Sequence, residues 1–461
     1  MGRQQMDGVG ESGRGGSVAE GRSVRRWPGV FALLVIVLIS YVDRVNVSVL
    51  ITDPAFTEHF GITGNRTAQG ALTTFFLLGY GLAAFLLIPF YEARLGVRRG
   101  LVVSVLTWAL FTLASPYAFG ALVLTALRLL LGAAEGPLFS LKTMYVKEHF
   151  APHEVGKPNA VSSMGVSLGT AVGLPLVAFL VQRFDWHASF LVLALLNAAV
   201  GLPLVLLCIP RTRRGTPSTP QAYGAGDGQS GGPSPAPRAS RRASRAAVRA
   251  ALRTPRLGWI VMIEIATLAY LWGSTSWLPS YLIDERGFSL AQSGALSSLP
   301  FLMSLASGLL GGWLIDRMPA RRVPLLFAAG SVGTGVCVAV VISAGPVWLA
   351  AAGLILANGF WGLQSPAIPT LVQQYAEPGG VGTAYGIVNG AGNLVSAFMP
   401  ALMGMAITAT GGFAAGYTLL LGTQVITLFC SLWLLFSPGR GGEGERQLPP
   451  HTDGAGLTAS G

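Results

Sequence analysis

Residues 28–52 read PGVFALLVIVLISYVDRVNVSVLIT. A run of this length can cross the ~30 Å hydrocarbon core of a bilayer, which takes about 20 apolar residues. Yet it carries two charges, Asp43 and Arg44, well inside it. A charge at mid-bilayer costs at least ~2.5–3.5 kcal/mol on insertion scales. The segment therefore reads as a membrane helix with a polar task in its interior.

Working outward, the same apolar pattern recurs over 68–90, 99–118, 120–142, 158–182, 187–209, 257–281, 290–314, 323–344, 346–370, 381–407 and 413–436. These segments predict an all-α integral membrane protein of twelve transmembrane helices. Composition agrees: charged residues are 11% of the chain, against roughly 25% in soluble domains. A water-facing globular surface is excluded, and so is a disordered chain. Cys208, Cys337 and Cys430 each lie in an apolar run, which argues against a disulfide framework or a zinc site.

The net charge of +11 is a topology signal rather than a nucleic-acid footprint. Of the 31 Lys and Arg residues, 26 fall on one face of the predicted topology, Lys142 among them at the end of span 4. The other face holds Arg66, Arg183 and Arg286. The positive-inside rule places both termini in the cytoplasm, in the plasma (inner) membrane. The expected organisation is a cytoplasmic tail (1–27), a six-helix bundle (28–209), a basic linker (210–256), a second bundle (257–436) and a cytoplasmic tail (437–461). Within the linker, Arg238 to Arg253 could lie on anionic lipid or serve only as a soluble tether.

The halves echo each other. Arg94, Arg98 and Arg99 recur 223 residues later as Arg317, Arg321 and Arg322, and Gly165 and Pro175 recur 225 residues later as Gly390 and Pro400. A shared offset suggests a duplicated six-helix unit and two bundles related by pseudo-twofold symmetry.

Three intramembrane charges join the first two: Arg128, Glu135 and Glu264. At about 1.5 Å per residue, Arg44 and Arg128 reach similar depths on different helices. Two guanidiniums facing one cavity repel unless an anion comes between them, and each can bind a carboxylate through two parallel hydrogen bonds. The alternative is a private ion pair for each, such as Arg128 with Asp43. Glu135 lies seven residues beyond Arg128, two turns along the same face. A carboxylate that alternates between a dry cavity and an arginine takes up and releases a proton. Asp43 is a second candidate for that role or an anchor for Arg44. Glu264 is a third, or a structural bond. Tyr41, Asn46, Tyr80, Trp361, Gln364, Asn389 and Asn393 could donate to a hydroxylated or aromatic acid, the two asparagines equally serving as interhelical glue. The series Gly165, Gly169, Gly173 reads as close helix packing. No catalytic constellation and no nucleotide-binding motif appears, so the chain reads as neither an enzyme nor an ATP-driven pump, and it implies no cofactor.

Two six-helix halves with basic loops after spans 2 and 8 resemble the major facilitator superfamily. Gly312-Trp313-Leu314-Ile315-Asp316-Arg317 with Arg321-Arg322 is similar to its gating signature. The first copy departs from it, with Pro89 for Gly and Ala93 for Asp, beside Arg94 and Arg98. More narrowly, Tyr41-Val42-Asp43-Arg44-Val45-Asn46 resembles the anion:cation symporter family. So do Arg128 to Glu135-Gly136, Trp277-Leu278-Pro279-Ser280-Tyr281-Leu282, Phe360-Trp361 and Gly386 to Leu394. That resemblance implies a monomeric proton-coupled symporter of an organic anion: sugar acid, hexuronate, galactonate, tartrate, phthalate or similar. It implies proton sites at Asp43 and Glu135 and a pocket lined by Tyr41 and Tyr80. An efflux antiporter and a non-transporting sensor remain alternatives.

Overall fold

The computed structural model describes residues 26–87, 91, 95–150, 156–211, 256–375 and 381–437. Among them there is no strand. The first half contains α1 (Trp27–Leu50), the short α2 (Pro54–His59), α3 (Arg66–Leu86), α4 (Gly96–Ala114), α5 (Ala121–Glu135), α6 (Leu138–His149), α7 (Gly156–Arg183), α8 (Trp186–Leu196) and α9 (Leu202–Cys208). The second contains α10 (Leu257–Asp284), α11 (Leu290–Arg317), α12 (Pro324–Ser343), α13 (Val347–Gln364), α14 (Ala367–Tyr375), α15 (Val381–Ser396), α16 (Met399–Thr410) and α17 (Phe413–Phe436). Residues 212–255 of the expected linker, the bulk of both expected tails, and Pro89, Ala93 and Arg94 lie outside the described residues.

Eleven described spans are long and apolar enough to cross a membrane. With α3 between the first and second of them, they follow the order of the twelve expected. Four spans are built from two helical pieces, α13 and α14 forming one of them. Pro137 follows Gly136 and interrupts α5–α6, since its ring and missing N–H break the backbone ladder. Pro400 starts α16 after α15. In the span from Trp186 to Cys208, a π-helical turn over Asn197–Gly201 separates α8 from α9.

The span containing α5 and α6 continues to Val146, four residues past the expected end at 142. Lys142 is buried within that span and does not belong to the loop after it.

The helices have two sets of ends: the linker end, near Trp27, Ile209 and Leu257, and the far end, near Leu50 and Asp284. At the far end one apolar cluster joins both halves, running from Val42–Ile51 through Leu174 to Leu278, Met403 and Leu420. Two contacts there share the sequence offset noted above. A Cβ on Gly70 of α3 would lie 2.4 Å from the Pro400 carbonyl oxygen. A Cβ on Gly294 of α11, 224 residues later, would lie 2.6 Å from the Ala178 Cβ and 3.1 Å from the Pro175 Cα. Arg66 also pairs with Asp284 across the halves. At the linker end the cores separate. One cluster consists of first-half residues with Trp272 and Ala397; the other contains second-half residues alone. The halves thus converge at the far end and part toward the linker.

Candidate functional site

Small residues set the site's geometry. Gly165 and Gly169 of α7 bring that backbone against the Leu34 and Leu38 carbonyls of α1. Gly132 of α5 approaches α3 so closely that a Cβ would lie 1.9 Å from the Phe76 carbonyl oxygen. Any larger side chain there would push α5 away. This contact seats Arg128 with its guanidinium carbon 4.7 Å from the centre of the Phe76 ring.

Arg44 projects from α1 into an aromatic cage. Its guanidinium carbon is 4.5 Å from the ring centres of both Tyr41 and Tyr80, 5.6 Å from Phe76 and 5.8 Å from Trp272. Trp272 comes from α10 of the other half and stacks on Tyr41 at 6.4 Å. Cation–π attraction from several faces offsets part of the cost of burying the arginine.

Pairing differs from the private ion pair considered from sequence. Arg44 Nε donates to Glu135 Oε2 at 3.1 Å, and Ser40 Oγ donates to the same oxygen at 2.6 Å. Asp43 faces elsewhere and accepts from Asn197 Nδ2 at 2.7 Å. Two helical turns separate Glu135 from Arg128 along one face, about 10 Å of rise, whereas Arg44 reaches Glu135 from the neighbouring helix. Arg128 is only 1% exposed, and no described residue accepts a hydrogen bond from its Nε or Nη2. Arg44 Nη2 and Glu135 Oε1 are buried without partners as well. The site thus holds two guanidiniums, one carboxylate bound to the first, and free donors on both.

Asn197 and Ser40 were not singled out from sequence. The signal for Asn197 is an amide inside the apolar run from Leu191 to Leu207. The π-helical turn that starts there alters the register of the helix and occurs frequently at functional positions.

The remaining candidates divide by place. Asn46 is buried with its Oδ1 unpartnered. In the second half, Trp361 Nε1 donates to the Thr267 carbonyl at 3.0 Å, so its N–H is already used and the ring face is what it can offer. Gln364 is buried with neither amide atom bonded and packs on Gly330 of α12. Asn393 Nδ2 donates to Asn389 Oδ1 at 2.6 Å, a pair within one helix. Glu264 packs its methylenes on Gly392. None of these second-half polar groups hydrogen-bonds to Arg44 or Arg128. Among the gating candidates, Arg98 donates to the Leu206 carbonyl at 2.6 Å. Arg317 stacks 3.8 Å over Trp313 and Arg321 is exposed. The side chain of Asp316 and all of Arg94 lie outside the description.

The profile of the Major Facilitator Superfamily matches residues 33–400. The hexuronate transporter of Bacillus subtilis (strain 168) is 25% identical over 417 residues, covering 86% of this chain and 92% of the relative. The D-galactonate transporter of Escherichia coli O6:H1 is 26% identical over 313 residues, 66% of this chain and 70% of the relative. The crystal structure of a D-xylose-proton symporter superimposes with a TM-score of 0.72 at 14% identity, over 89% of this chain and 97% of that one. At that identity the likeness concerns the fold.

Proposed function

The chain belongs to the Major Facilitator Superfamily, and we propose that it is a proton-coupled symporter for uptake of an organic anion of the sugar-acid, aromatic-acid or dicarboxylic-acid class. The carrying observation is Arg128, a buried guanidinium with unpartnered donors close to a second, half-satisfied arginine. A buried donor left without an acceptor is costly; a transported carboxylate would supply the missing acceptor through a two-pronged contact. The relatives named for hexuronate and D-galactonate support the same class.

The proposed coupling follows from the competition at Arg44. Glu135 occupies its Nε. Protonation of Glu135 weakens that pair and frees Arg44 to join Arg128 on the substrate carboxylate. Asp43, held by Asn197, is a second proton site. Tyr41, Tyr80, Asn46, Asn389 and Asn393 offer polar atoms for substrate hydroxyls, and Trp361 a ring face. Residues 28–209 and 257–436 rock about this centre. The basic loops favour a cytoplasmic linker end, which makes the packed far end the outer one, while Tyr41 and Trp272 stack across the halves beside the central arginine. Asp316, Arg317, Arg321, Arg94 and Arg98 gate the cytoplasmic side. Coupling has an electrical rationale. An inside-negative potential opposes monoanion entry by about 2.3 kcal/mol per 100 mV, and one proton cancels that term.

The test is accumulation of labelled D-glucuronate, D-galactonate, tartrate or phthalate in proteoliposomes under an outside-acid pH gradient. Gradient-dependent accumulation of one of them is expected. A protein that moves none of the four, and whose melting temperature none of them raises, is not an organic-anion symporter; export against the gradient favours the antiporter reading.

A further inference from the structure

Besides Arg44 and Arg128, a third cation is buried among the described residues. Lys142 lies in α6, seven residues after Glu135 and fourteen after Arg128, just past the Gly136-Pro137 break. It is 4% exposed, and no described carboxylate pairs with it. Its ammonium donates to Ser163 Oγ of α7 at 2.7 Å and stands 4.8 Å from the centre of the Phe139 ring. An ammonium has three donors, so one hydroxyl and one ring face leave it under-satisfied in an expensive setting.

Its surroundings point toward the space between the halves. Phe139 packs edge-on against Tyr41 at 6.4 Å, and Tyr41 underlies Arg44. Two aromatic rings, Phe139 and Tyr41, therefore link Lys142 to the Arg44 guanidinium. Ser163 precedes Leu174 by eleven residues, close to three full turns, so both lie on one face of α7. At Leu174 that face packs against Gly294 of the other half. At Ser163, toward the linker end, the same face is exposed. The Lys142–Ser163 pair thus lies along the wall that opens where the halves part.

We propose that Lys142 and Ser163 form a second carboxylate-binding station, between the central arginines and the linker end. The proposal rests on the organic-anion reading above. On leaving Arg44 and Arg128, the substrate carboxylate passes over Phe139 and exchanges onto the Lys142 ammonium and the Ser163 hydroxyl before release. In reverse flux the station collects the anion from the linker side. Lysine suits a stopping point better than an end point, because it holds a carboxylate as a point charge without the rigid fork of arginine.

The test compares half-saturation constants in right-side-out and inside-out membrane vesicles, with D-glucuronate as probe and D-galactonate and tartrate as second and third. For Lys142→Met, the constant measured from the linker side should rise at least about fivefold more than the constant from the far side, consistent with loss of one charge-assisted hydrogen bond. Lys142→Arg should restore most of the difference, and Ser163→Ala should show a weaker change on the same side. Equal changes on both sides, or none, in a Lys142→Met protein that elutes as wild type would overturn the station while leaving the transport reading intact. If Lys142→Met does not fold, an unchanged linker-side constant in Ser163→Ala decides against it. Wild-type protein that moves none of the three acids removes the transport reading and the station with it.

Discussion

In the first half, Asp43, Arg44, Arg128, Glu135 and Lys142 are buried; in the second, Glu264 is the one buried charge among the described residues. Where the first half sets guanidiniums over aromatic rings, the second offers amides, hydroxyls and Trp272. A duplicated unit explains the shared contacts at Gly70–Pro400 and Gly294–Pro175, but the chemistry has diverged. Charge is concentrated in one half, and the other half closes over it. Concentration makes physical sense for the Arg44–Glu135 pair: a buried ion pair is costly to break, and splitting it across a moving interface would break it at each cycle.

The strongest challenge to this asymmetry is Arg128→Ala. Truncating one side of a buried charged contact costs about 2–5 kcal/mol, so saturable uptake should fall by roughly 30-fold to well over 1,000-fold at 1.4 kcal/mol per decade. Arg128→Lys should rescue poorly, because the charge returns without the fork. Wild-type transport by the lysine variant, measured as initial rate against substrate concentration, would end the two-pronged contact.

Glu135→Gln separates the proton from the anion. The amide keeps the shape and loses the charge. Arg44 loses its carboxylate competitor, so anion binding should hold or tighten. Accumulation driven by a pH gradient should disappear, while counterflow of labelled for unlabelled substrate survives. Joint loss of binding and counterflow would instead make the Arg44–Glu135 pair purely structural.

The legibility of these features in the sequence follows from their range. Twelve spans were readable because an apolar run needs no partner to be recognised. Depth was readable too, since rise per residue is fixed, and Arg44 and Arg128 do come into one site. Pairing was not, because it depends on how helices rotate against one another. Arg44 therefore met Glu135 instead of leaving that carboxylate to Arg128. The burial of Lys142 was not legible either, since a lysine at the end of an apolar run does not reveal which helix it will face. Asn197 was passed over because a single amide among leucines carries no periodic signal, and the π-helical turn that begins at it cannot be seen in spacing alone.

A smaller effect is expected at Asn197, which touches the site only through Asp43. Hydrogen bonds to charged groups contribute about 1.5–3 kcal/mol, so Asn197→Leu should lower uptake by roughly 10-fold to 100-fold. In a cycle with Asp43→Asn the two losses should be strongly non-additive. Additive losses would mean that Asn197 acts through helix packing, and the first half would then contain one proton site fewer.

The smallest effect is expected in the second half, and it bears most directly on the asymmetry. Glu264 is 8% exposed, packs on Gly392 and pairs with no described cation. Unlike Glu135, its carboxyl has Thr267 as its neighbour rather than an arginine. A carboxylate in that position has no arginine whose release its protonation could trigger. Glu264→Gln should therefore leave gradient-driven accumulation within about twofold of wild type, in the range of substitutions away from key contacts, with counterflow equally preserved. The informative opposite is specific: accumulation lost, counterflow retained, the same signature expected of Glu135→Gln. That outcome would place a proton site on α10. The two halves would then share the coupling, and the concentration of charge in the first half would reflect anion binding alone.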